Sequence, residues 1–254
     1  MESPRQTQQL KPSQSKSLLE AQLQLIQLRL DDHHPEQAYQ MIRPLLEEFP
    51  KKVDVLNMAG LIQLSLGNSD QSRQYFLRAL KVRQSPSLIL NLSSSLMSGK
   101  RYRQAESLLR KYYPIFAKYR YLERYWHNRG LALYHQHKKT AAMHLFRKAL
   151  QENPAFVLTL NQLGDIYASV GKVGKAMAFF KKSMRYCREC LYPVEKAAQL
   201  YLQHGHVAKA YATLKRFRET GGADVPIGNQ FQRLWTLART RLQEERRLGA
   251  RQKM

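Results

Sequence analysis

Shifted by 34 residues, the second half of the chain falls into register with itself. Gly130 lands on Gly164 and then Ala198, Ala142 on Ala176 and then Ala210, Phe146 on Phe180, and His137 on Gly171 and then Gly205. A repeat of this length marks stacked helix–turn–helix units, none of which buries its apolar face alone. The recurring glycine sits inside a stretch that otherwise reads as helix, where glycine costs about 1 kcal/mol relative to alanine. A close crossing of the two helices of a unit, with no room for a side chain, explains why the cost is tolerated. The 43% apolar content of the 254 residues is enough to bury such an array.

Six units are expected, over 19–52, 53–85, 86–119, 123–156, 157–190 and 191–224. Gly60, Gly67, Phe76 and Ala79 fit the frame upstream, with Ser72 at an alanine position. Leu92, Ser93, Ala105 and Leu109 fit a third unit that has one extra residue in its turn. The first unit is the weakest, supported by Ala38, Ile42 and Pro50 but lacking the glycine. Before it, residues 1–18 are Gln/Ser-rich and are expected to be a disordered tail. After "GGADVPIGN", Phe231, Leu234, Trp235, Ala238 and Leu242 define one apolar helix face. Residues 225–254 are therefore read as a helix capping the array, followed by a charged tail expected to fray.

These positions resemble the tetratricopeptide repeat (TPR) consensus. The likeness is closest for Trp126, Gly130, Ala142, Phe146, Ala149 and Pro154, and for Leu163, Gly164, Tyr167, Gly171, Ala176 and Phe180. The resemblance implies an all-α superhelix of about six repeats, with first (A) helices lining a concave groove and second (B) helices facing outward. More narrowly, residues 53–220, and "YLERYWHNRGLALYHQHKKTAAMHLFRKAL" within them, are similar to the PilF/Tgl-type pilotins, outer-membrane proteins that assist secretin assembly for type IV pili. A pilotin carries a lipidated cysteine after a signal peptide. The start of this chain is polar, with neither an apolar leader core nor such a cysteine. The expected location is thus cytoplasmic, and the resemblance then implies a role in pilus, gliding-motility or cell-polarity machinery, with a small Ras-like GTPase or a pilus component as partner.

The consensus places Asn57, Leu61, Asn91, Ser94, Asn128, Leu131, Tyr134, Asn161 and Asp165 on the groove side. A carboxamide both donates and accepts hydrogen bonds. The recurring asparagines are therefore read as a ladder for the backbone of an extended peptide; the alternative is that they bond to neighbouring helices or water. The groove lacks the lysine–arginine set that other TPR proteins use to clamp a chain terminus.

Forty-two Lys and Arg face 19 Asp and Glu, a formal charge of +23, which favours an acidic partner. Many of the cations fall in B helices or turns, among them Lys138, Lys139, Lys172 and Lys175, and predict a basic convex face. That face suits an acidic protein, or alternatively RNA or an anionic membrane surface. Single-stranded RNA readers expose aromatic platforms, whereas most aromatics here sit at repeat-core positions, which argues against RNA.

No apolar run approaches the roughly 18 residues of a membrane span. The two cysteines, in "CREC", make no disulfide framework and are one pair short of a four-ligand zinc site, to which His127, His135, His137 and His144 add ligands only if the fold brings them close. No phosphate-cradling loop, nucleophile elbow or H-E-x-x-H is present. Neither catalysis nor a metal or cofactor is expected.

Overall fold

The computed structural model describes residues 12–220, 225 and 227–251, with side chains from Ser17 to Leu248. Among these residues there are fourteen helices and no strand. The chain divides into two compact units, 1–142 and 143–254.

The first unit holds α1 (Pro12–Asp31), α2 (Pro35–Glu48), α3 (Val53–Ser65), α4 (Ser69–Val82), α5 (Pro86–Ser98), α6 (Tyr102–Lys111), α7 (Tyr113–Lys118) and α8 (Leu122–His135). Its first core forms around Ile26, Ala38, Ile42, Val55 and Ile62, and its second around Phe76, Ile89, Leu109, Phe116 and Tyr125. α1 begins within the segment expected to be a disordered tail, so residues 12–18 are helical. The polar run still propagates a helix because Leu19 and Ile26, one helical face, are buried against α2 and α3. Residues 1–11 lie outside the described residues.

The third repeat departs from its expected form. Its B helix, α6, is ten residues long and stops at Lys111, and α7 follows as a separate short helix. Pro114 explains the break: it has no N–H to donate and its ring clashes with the carbonyl four residues back. Phe116, 0% exposed, anchors the inserted α7 against the Tyr125 ring at 5.2 Å.

α9 (Lys139–Glu152) starts in the first unit and continues in the second, which adds α10 (Val157–Ser169), α11 (Val173–Tyr186), α12 (Leu191–Gln203), α13 (Val207–Thr220) and α14 (Asn229–Arg251). α14 is the expected capping helix. Phe231 and Ala238 are fully buried against α12 and α13, and the Phe217 and Phe231 rings lie 5.7 Å apart. The charged tail expected to fray instead stays helical to Arg251, consistent with the helix propensity of its Arg, Gln, Glu and Leu residues.

The turns repeat as faithfully as the helices. A residue with positive φ follows the A helix at His33, Gly67, Lys100, His137, Gly171 and Gly205. Each time the next amide closes a six-residue loop back onto the helix, as in Lys172 N–H to the Tyr167 carbonyl at 2.9 Å and His206 N–H to the Tyr201 carbonyl at 2.8 Å. This is the Schellman ending of an α-helix, which requires a left-handed residue.

The small-residue register is equally strict: Ala38, Ser72, Ala105, Ala142, Ala176 and Ala210 are all 0% exposed. A Cβ on Gly60 would meet Phe76, and one on Gly164 would meet Phe180, both at 2.5 Å, so in these two repeats the glycine is where helices A and B cross.

Candidate functional site

The nine residues expected on the A-helix face all keep part of their surface open to solvent. They sit on α3, α5 and α8 of the first unit and on α10 of the second. Asn57 and Asn91, one repeat apart, are brought together: Asn91 Nδ2 donates to Asn57 Oδ1 at 2.8 Å. The bond to a neighbouring helix therefore holds at this step. Asn128 instead donates to the Arg124 carbonyl in its own helix at 2.9 Å. Asn161 has its Oδ1 buried with no partner among the described residues. The four asparagines thus do not form a uniform ladder. Around them, Leu61 packs against the core, Ser94 is half-buried on α5, and Leu131 and Tyr134 are half-buried on α8.

In the second unit two polar side chains of successive A helices meet. Tyr192 of α12 donates its hydroxyl to Asp165 Oδ2 of α10 at 2.5 Å. Burial, and then the bond to Asp165, push the tyrosine pKa well above its ordinary value. Glu195, which the repeat register also places on the A-helix face, lies near the Phe231 backbone in the first turn of α14, where an anion suits the helix end. Burial raises its pKa despite the nearby Lys196. His127, next to Asn128 on α8, is only 6% exposed, because its position on the helix turns into the core. Burial lowers its pKa to about 4, so the ring is neutral.

Lys138, Lys139, Lys172 and Lys175 are all exposed. The first pair belongs to the first unit and the second pair to the second. Lys138 lines a shallow cleft of about 390 Å³ with Lys100, Arg101 and Arg103. Lys175 lies 5.7 Å from the Tyr167 ring centroid.

Several features escaped the sequence. Arg129 donates to Glu106 at 2.6 Å and to Tyr125 Oη at 3.1 Å, a half-buried tie between α6 and α8. No spacing rule marks that pair. The expectation that most aromatics are core fails around α7: Tyr113, Tyr119 and Tyr121 are 40%, 51% and 36% exposed, since the inserted segment lies outside the repeat register. Lys118 stands over the Tyr119 ring at 5.6 Å and Arg124 over Tyr121 at 5.8 Å. Finally, Cys187 and Cys190 are joined in a disulfide, with Cα atoms 5.4 Å apart, linking the end of α11 to the start of α12. No group of three or more His, Cys, Asp or Glu among the described residues is placed to hold a metal. None of the described helices is long and apolar enough to cross a membrane.

Tetratricopeptide repeat models match residues 23–89, 123–156 and 158–190, together more than half of the chain. Their agreement with the helix pairs, turns and glycine crossings described above is direct: the chain belongs to the tetratricopeptide repeat family. Proteins of this family are generally protein-interaction scaffolds, and the fold is typically non-catalytic. Among solved structures, the fold is similar to PilW, a widely conserved type IV pilus biogenesis factor (TM-score 0.60, 19% identity, covering 85% of this chain and 97% of that one). It is similar also to PilF of Pseudomonas aeruginosa (TM-score 0.56, 18% identity, 85% and 96% covered). A tetratricopeptide repeat protein from Parabacteroides merdae gives a TM-score of 0.65 at 14% identity, with 85% and 82% covered. No curated protein matches the chain in sequence.

Proposed function

We propose that the chain is a non-catalytic scaffold that holds a partner protein or peptide on the A-helix faces of its repeats. The observation that carries this reading is the Asn57–Asn91 pair, two half-exposed carboxamides from successive repeats bonded side by side. One bond between them uses one N–H and one acceptor lone pair. The remaining donor and acceptor capacity suits the peptide groups of an extended segment, whatever its sequence. Exposed lysines at the repeat turns add a field that draws an acidic partner in.

A partner in type IV pilus, motility or cell-polarity machinery, including a small Ras-like GTPase, belongs to the same proposal. Its support is the sequence resemblance of residues 53–220 to the PilF/Tgl group and the fold shared with PilW and PilF. Co-precipitation followed by mass spectrometry tests it: a pilus or polarity protein recovered with the wild type and lost on Asn57→Ala/Asn91→Ala is the expected result. Recovery that is equal in both removes the A-helix face as the recognition surface.

A second reading, binding of RNA or an anionic membrane, draws on the exposed Tyr119 and Tyr121 beside Lys118, Arg120 and Arg124. Nuclease treatment and a salt series separate it from the first, because phosphate contacts weaken steeply with salt.

A further inference from the structure

Between α11 and α13 of the second unit, over the start of α12, lies a cleft of about 680 Å³, within the range of sites that enclose a ligand. Its walls carry Lys181, Arg185, Arg188 and Arg216, all exposed. Its floor includes the half-buried Met184 and the buried Phe217. A few cations elsewhere have a carboxylate partner: Arg73 and Arg101 share Asp70, Arg83 meets Asp54, Arg129 meets Glu106 and Lys215 meets Glu219. The four in the cleft have no carboxylate partner among the described residues. Like charges gathered around one hollow repel one another and are relieved by an anion placed between them.

We infer that this cleft is a docking site for an acidic segment of a partner protein that carries an apolar side chain between its carboxylates. The site lies mainly on the B helices α11 and α13 and includes none of the nine residues of the A-helix face.

The choice of occupant follows from the lining. Guanidinium groups take carboxylates in bidentate fashion, and three of the four cations are arginines. Met184 and Phe217 offer an apolar floor, which a nucleic acid backbone has nothing to place against. A flat membrane surface does not reach into a concavity. Arg188 sits within the loop that the Cys187–Cys190 bond closes, so part of the cationic wall is held in place before binding, which lowers the ordering cost.

The test is fluorescence anisotropy of the full chain with a labelled peptide Asp-Glu-Leu-Phe-Glu-Asp at about 0.15 M salt, where surface fields reach only some 8 Å. The expected result is saturable binding, weakened at least about tenfold by Arg185→Glu/Arg216→Glu (about 1.4 kcal/mol). Lys51→Glu/Lys81→Glu, which removes the same charge from exposed positions of the first unit, is expected to leave the affinity within about twofold. Circular dichroism and melting of each variant verify the fold. The inference is overturned if both double variants weaken binding equally, since net charge alone then acts. It is overturned also if hexaglutamate competes as well as the labelled sequence, for the apolar floor then has no role, or if a single-stranded oligonucleotide displaces the peptide more effectively than the unlabelled peptide does. Failure here leaves the Asn57→Ala/Asn91→Ala capture experiment unaffected, so the two proposals fail separately.

Discussion

Phe180 lies so close over Gly164 that a Cβ on the glycine would meet its Cε1 at 2.5 Å, and the ring is itself 0% exposed, with little room to retreat. Gly164→Ala should therefore lower stability by about 1–3 kcal/mol through overpacking, although alanine is the better helix former. Gly174, ten residues on in α11, has nothing within 4 Å of such a Cβ. Gly174→Ala should raise stability by about 0.5–1 kcal/mol. Denaturant melts of the two variants are expected to move in opposite directions; movement in the same direction would contradict the close crossing.

Ser72 fills in α4 the position that alanine holds in the other five repeats, and its hydroxyl is buried with no partner among the described residues. A buried hydroxyl without a hydrogen bond costs about 1–3 kcal/mol. Ser72→Ala is expected to stabilise the protein by about 1 kcal/mol, read as a rise in melting temperature. A fall would mean that the hydroxyl is satisfied in solution.

Much of this packing was legible in the sequence because it recurs. Each small residue at a helix crossing, and each left-handed turn residue, is one instance of a constraint repeated along the chain, so register alone locates it. The A-helix residues follow from the same register, which is why all nine retain exposure. What register does not report is contact between positions that occur once. Arg129–Glu106, the disulfide, and the exposed tyrosines around α7 each depend on a local departure or on a pairing that no periodicity encodes. Pro114 was the visible sign that the third repeat breaks.

His127 also gives a pH dependence. Its pKa falls from 6.5 to about 4 on folding, so the unfolded chain binds the proton more tightly. The associated stability is present in full above pH 6.5 and is lost as pH falls toward 4, amounting to about 3 kcal/mol. In urea titrations at pH 7 and pH 4.5, wild type should lose more stability than His127→Gln, since all other titrating groups are shared. Equal losses would place the imidazole in contact with water.

Charge reversal at Lys138, Lys139, Lys172 and Lys175 should slow association with an acidic partner several-fold at low salt, and the difference should shrink as salt rises. These side chains are exposed, so the melting temperature should change by no more than about 2 °C. Stopped-flow association rates across a salt series make the check; an unchanged rate at low salt would show that these turns do not face the partner.

The scaffold assignment is tested most directly by capture from a nuclease-treated lysate, with the wild-type chain and Asn57→Ala/Asn91→Ala/Asn161→Ala as baits of equal helicity. The expected result is a defined set of proteins retained by the wild type after nuclease and depleted from the triple variant. Capture that disappears with nuclease, or is the same for both baits, would contradict a protein-binding A-helix face.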